Sequence, residues 1–161
     1  EALSPTPKPT IDNAQLIDGT WRLLYTTLTI LGRKRARLAL ATSSKPGFVE
    51  LGDLYQIIDS KLGESRNVVG FNVMLGGSGT FKVTADYKVV SESRVDVRTK
   101  NTALEPIKLE KLLGSNIGLL SEIFDPTGYL DVTYLDSQMR IGRDHAGNIF
   151  VLERCQDVSV S

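Results

Sequence analysis

The stretch from Gly128 to Cys155, GYLDVTYLDSQMRIGRDHAGNIFVLERC, leaves this part of the chain little choice but a β-meander. Tyr129 to Leu135 alternates and is rich in β-branched and aromatic residues, and Asp136-Ser137 is a polar turn. Met139 to Arg143 follows, and Asp144-His145-Ala146-Gly147 supplies a second turn with glycine where a positive φ is needed. Asn148 to Cys155 closes the meander. Its parity is legible: Phe150, Leu152 and Arg154 share one face, and Ile149, Val151 and Glu153 share the other. An arginine on an apolar face needs a partner, because a guanidinium is almost never buried alone.

The same period of two recurs upstream. Residues 19–27, 48–59, 67–75, 80–90 and 93–100 read as strands, which with 129–135, 139–143 and 148–155 makes eight. The cleanest is Phe81, Val83, Ala85, Tyr87 and Val89 alternating with Lys82, Thr84, Asp86 and Lys88, a half-buried strand. Gly52 marks a bend or bulge in the second. Hairpin-linked antiparallel strands of this number suit a closed barrel, which removes exposed edges and can hold one small ligand. Two insertions interrupt the series. Residues 28–46 set Arg33, Lys34, Arg35 and Arg37 among Ile30, Leu31, Leu38 and Leu40, with alanines that favour a short amphipathic helix. Such a charge run is either a solvated face or a lid that touches anionic headgroups or a diphosphate-bearing ligand, and both readings stay open. Residues 101–127 carry enough leucine to cover something, although Gly114 and Gly118 argue against one regular helix.

Composition excludes several functions. Nineteen basic and nineteen acidic residues cancel over 161 positions, which is unsuited to a general nucleic-acid binder. No apolar run reaches the length of a membrane-spanning helix. The single cysteine, Cys155, forms no internal disulfide, and no ligand cluster for a metal is present. Gly76-Gly77-Ser78-Gly79 lacks the Lys-Ser/Thr pair and following helix of a phosphate loop. His145, the sole histidine, lies in a polar turn, and Asp131 and Asp136 fall on opposite faces, so neither suggests catalysis. A non-enzymatic binding module without cofactor is the expectation. The absence of an initiator methionine suggests a processed chain lacking its targeting peptide.

Several segments carry a family resemblance. YLDVTYLDSQMRIGRDHAGNIFVLER resembles the C-terminal signature of the plastid lipid-associated protein (fibrillin) family. Leu16 to Thr27, LIDGTWRLLYTT, is similar to its G-x-W-x-L-x-Y-T-T segment, Ser4-Pro5-Thr6-Pro7 to its lead-in, and Tyr55-Gln56-Ile57-Ile58-Asp59 to its Y-Q-x-I-D strand. The resemblance implies one domain over residues 1–161, with 1–10 a proline-rich extended approach. It implies an all-β fold, a single eight-stranded antiparallel lipocalin-like barrel with two long, partly helical insertions. It also implies a plastid location, at plastoglobules or thylakoids, and an isoprenoid-type or other apolar lipid as ligand.

Parity then gives an inward set of Trp21, Leu23, Tyr25, Phe71, Phe81, Val83, Tyr87, Val95, Val97, Phe150 and Leu152. Of these, Tyr25, Phe71, Phe81, Tyr87, Val95 and Val97 are the six expected to bind ligand in a chamber opening near the two insertions. The same residues could fill a solid core, since barrels of this size do either. Trp21, inward near the start of the first strand, is expected to meet Arg154 where the last strand closes on the first. Lipocalins stack a comparable arginine on their first-strand tryptophan, so the resemblance implies a structural closure of the floor. Arg33, Lys34, Arg35 and Arg37 are the expected membrane-surface contacts. An alternative role is a scaffold, docking on a plastid lipid-biosynthetic enzyme or coating lipid bodies.

Overall fold

A computed structural model describes residues 1–11, 14–28, 37–40, 47–73, 77–113 and 116–155. Its elements are α1 (Ala14–Ile17), β1 (Gly19–Thr26), β2 (Arg37–Leu40), β3 (Gly47–Asp59), β4 (Glu64–Val73), β5 (Gly77–Val89) and β6 (Arg94–Glu105). A 3-10 turn (Ile107–Leu109), α2 (Glu110–Leu113) and α3 (Asn116–Phe124) follow, then β7 (Gly128–Leu135), β8 (Met139–Asp144) and β9 (Ile149–Cys155). The sheet order is β1-β9-β8-β7-β6-β5-β4-β3-β2, every neighbour antiparallel, and β1 also pairs with β3. That last pairing closes eight strands into a barrel. The short β2 is a ninth, hung on the outer half of β3.

The closure is uneven. β1 meets β3 only from Gly19↔Ile58 to Arg22↔Tyr55, and β6 meets β7 only from Arg94↔Asp131 to Val97↔Gly128. By contrast β4 and β5 stay paired from Glu64↔Asp86 to Val73↔Gly77. Each short seam carries an arginine. Arg22 reaches Glu153 of β9 (Nε to Oε1, 2.7 Å) and Asp53 of β3 (3.6 Å). Arg94 forks onto Asp131 at 2.6 and 2.7 Å and lies 3.9 Å from the centre of the Tyr129 ring.

Two apolar clusters fill the barrel at different levels. The lower one joins Ile17, Trp21, Ile58, Ala85, Tyr87, Val95, Val97, Val132, Leu135 and Leu152 at the narrow end. The upper one joins Leu51, Val69, Phe71, Val73, Phe81, Val83 and Leu104 to Leu109, Leu113, Leu120 and Phe124 of the helical insertion. Burying those four insertion side chains, at about 25 cal/mol per Å² of apolar surface, is what holds α2 and α3 against β3–β6. Short helices of four and nine residues would not persist in water alone.

Two readings of the sequence change. Residues 37–40 of the basic insertion are a strand paired with 47–50, not helix; the β-hairpin partner outweighs the alanine-based helical preference. The remainder of that insertion, including Arg33, Lys34 and Arg35, lies outside the described residues. The leucine-rich insertion is not one regular helix but a 3-10 turn, α2 and α3, and Gly118 is accommodated inside α3 with open space where a Cβ would be. Residues 1–11 form turns rather than a plain extended approach. They are held to the barrel by Thr6 Oγ1 donating to the Leu135 carbonyl (2.8 Å) and Arg143 pairing with Glu1 (2.8 Å).

Candidate functional site

The narrow end is built around Trp21, which is fully buried. Its indole N–H donates to the Ile17 carbonyl at 2.8 Å, so α1 is pinned across the floor. In the antiparallel register Trp21 faces Arg154, whose guanidinium carbon sits 4.3 Å from the indole centroid. Arg154 donates to three carbonyls: Asp18 (2.8 Å), Ser137 (3.0 Å) and Leu16. It thereby ties α1, the start of β1 and the β7–β8 turn together. Gly19 permits the approach: at φ +119° it takes a conformation L-residues avoid, and a Cβ there would stand 2.8 Å from Arg154 Nη1.

Above this floor lies a cavity of about 320 Å³. Its apolar wall includes Leu23 of β1, Leu54 of β3, Val97 of β6, Leu130 of β7 and Phe150 and Leu152 of β9. Exposed Glu122, Asp125, Thr127, His145 and Ala146 rim the mouth, where α3 runs into β7 and β8 turns into β9. Three polar side chains stand inside. Gln56 donates to Asn67 (Nε2 to Oδ1, 3.0 Å), and the Gln56 Oε1 accepts from Arg140 Nη2.

Arg140 is the unusual member. It points inward from β8, is 1% exposed, and its guanidinium carbon lies 5.2 Å from the centre of the Trp21 ring. Its Nε and Nη1 groups have no hydrogen-bond partner, and neither has the hydroxyl of buried Tyr87. Burial pulls the Arg140 guanidinium down to about 10, so it stays charged at neutral pH. The same desolvation pushes the Tyr87 phenol up to about 12.

The structure scatters the parity-based set. Tyr25 is 55% exposed: a bulge between Leu23 and Tyr25 against β9 shifts the register, setting Tyr25 opposite Val151 and turning it outward. Phe71 and Phe81 are buried beneath the helical insertion, with Phe81 and Phe124 rings 6.1 Å apart, and do not reach the cavity. Tyr87 and Val95 pack in the lower cluster, and Val97 alone of the six lines the cavity. Arg140 went unselected, although its parity is readable: it pairs with Leu135 and Leu152, both inward. Among the described residues no cluster of His, Cys, Asp or Glu could hold a metal, and no helix is long and apolar enough to cross a membrane. His145 sits edge-on to Tyr129 at 6.3 Å, at the rim.

The model of the PAP_fibrillin family matches residues 1–153. This chain belongs to that family. The fibrillin assignment agrees with curated relatives. Probable plastid-lipid-associated protein 3 of Arabidopsis thaliana is 27% identical, over 96% of this chain and 49% of the relative. Plastoglobulin-1 of Pisum sativum is 28% identical, over 96% and 51%. Probable plastid-lipid-associated protein 11 of Arabidopsis thaliana is 25% identical, over 96% and 64%. The fibrillin chain thus spans about half to two thirds of their length. All three are named chloroplastic, in agreement with the plastid location read from the sequence. A lipocalin-like protein from Bacteroides uniformis, 10% identical, superposes with a TM-score of 0.45 over 87% of this chain and 99% of its own.

Proposed function

We propose that this fibrillin is a non-enzymatic lipid-binding protein that takes an apolar chain, isoprenoid or acyl, into its barrel and associates with plastoglobule or thylakoid surfaces. The observation that carries the reading is the cavity of about 320 Å³, walled by aliphatic and aromatic side chains and open at one end. This is within the roughly 300–1,000 Å³ of small-molecule sites, and apolar walls with a few inner polar groups are their usual make-up. The family membership supports the same choice, since relatives are named plastid lipid-associated proteins and a plastoglobulin. Arg33, Lys34, Arg35 and Arg37 would add attraction to anionic lipid surfaces, about 1 kcal/mol each and lost within a Debye length.

Native mass spectrometry of the protein purified from plastid extract tests the reading. A co-purifying lipid of defined mass supports it. A stoichiometric protein partner with no lipid favours the scaffold role instead. For surface docking, flotation with anionic liposomes should weaken and lose salt sensitivity when all four basic residues become alanine. Unchanged flotation at every salt concentration removes the basic insertion from the account.

A further inference from the structure

The inner end of the cavity is chemically unlike its wall. A guanidinium that is 1% exposed, with two N–H-bearing nitrogens lacking partners, is a costly thing to leave in a barrel. Arg140 is not held by an acid: the described ion pairs use Arg22, Arg94 and Arg143, and Arg140 bonds only the amide oxygen of Gln56. Both residues belong to the cavity wall, as does Asn67, which fixes the orientation of the Gln56 amide. The site is therefore a prepared cation, oriented by a chain of amides and shielded from solvent by the apolar chamber above it.

We propose that Arg140 is the head-group anchor of the cavity: the ligand is an amphiphile with a single carboxylate, bound head inward on Arg140 with its apolar chain directed to the mouth. This rests on the lipid-binding reading and specifies its chemistry. One guanidinium balances one carboxylate and supplies charge-assisted hydrogen bonds from the nitrogens now unused. Acidic Glu122, Asp125 and Asp144 lie around the outer wall and disfavour a multiply charged head such as a diphosphate. An apolar tail passes them without cost.

Calorimetric titration with decanoic acid, 1-decanol and methyl decanoate decides the matter. Emission from Trp21, the sole tryptophan, is followed in parallel. The wild-type protein should bind the acid at least about ten-fold more tightly than the alcohol or the ester, as expected for a desolvated charge-assisted contact. In Arg140→Met that preference should fall to within about two-fold while the alcohol still binds. The wild-type comparison needs no variant, so it stands even if Arg140→Met fails to fold. Equal, saturable binding of acid, alcohol and ester overturns the anchor and leaves the lipid-binding reading intact. No saturable binding of any of the three overturns both.

Discussion

Replacing Arg154 with lysine separates the two things an arginine brings to the barrel floor, charge and shape. The guanidinium donates to the carbonyls of Leu16, Asp18 and Ser137 while its carbon sits 4.3 Å from the centre of the Trp21 ring. A lysine ammonium keeps the charge but cannot serve three carbonyls in one plane, and it loses the stacked face. Two lost hydrogen bonds at about 1 kcal/mol each, plus roughly 0.5–1 kcal/mol for the stack, give about 2.5–3 kcal/mol. We take the low end of these ranges because Arg154 is partly solvated. For a chain of this size each kcal/mol moves Tm by roughly 2–4 °C, so Arg154→Lys should melt roughly 5–12 °C lower. Thermal unfolding followed through Trp21 emission reads this directly, since the same ring reports the stack. Gly19→Ala should act on the same contact, because its Cβ drives into Nη1. The double variant should then lose less than the sum of the two. A melting temperature for Arg154→Lys within about 2 °C of wild type would refute the floor-tie argument, because even the smallest total worked above corresponds to about 5 °C.

Tyr87→Phe should be neutral to stabilising by about 1 kcal/mol, because it deletes a buried hydroxyl that has no partner; denaturant unfolding measures it, and a clear loss would mean the hydroxyl is satisfied. Leu120→Ala should cost about 2–5 kcal/mol, since the side chain is fully buried between α3 and the upper core; the expected lower denaturation midpoint comes with an enlarged upper chamber. The Arg94 hydrogen bonds hold the Asp131 carboxyl below its ordinary value. A depressed folded-state value means that its stabilisation is complete above the unfolded pKa and fades as pH falls through the folded one. Asp131→Asn should therefore narrow its stability gap to wild type on acidification below about pH 4, and a gap constant with pH would show that the pair contributes nothing.

The eight barrel strands were legible because alternation survives in each of them, from Phe81–Val89 to Ile149–Cys155. The site was legible only in part. Parity assumes an unbroken ladder, and the bulge after Leu23 was invisible to it, which is why Tyr25 was read as inward. Parity also says which side chains face inside, not what occupies that inside. Phe71 and Phe81 do face in, but Leu109, Leu113, Leu120 and Phe124 arrive from the insertion and take the space. That packing links residues far apart in sequence, and no local period records it. Arg140 was missed for a different reason. The short strand 139–143 gave no facing for Arg140, and only its cross-strand partners Leu135 and Leu152 place it inward.

The two short seams have a mechanical consequence. The ring consists of two four-stranded staves, β7-β8-β9-β1 and β3-β4-β5-β6, and they are joined only along the lower part of β1–β3 and the beginning of β6–β7. The cavity lies between the staves: Leu23, Leu130 and Phe150 come from one, Leu54, Gln56 and Val97 from the other. A thicker ligand therefore strains the two short joints and spares the long ladders within β3–β6. Under the proposed lipid-binding reading the barrel would act as a spring-loaded clip rather than a cup of fixed bore. Its selectivity should fall more on the chemistry of a ligand's buried end than on the girth of its chain.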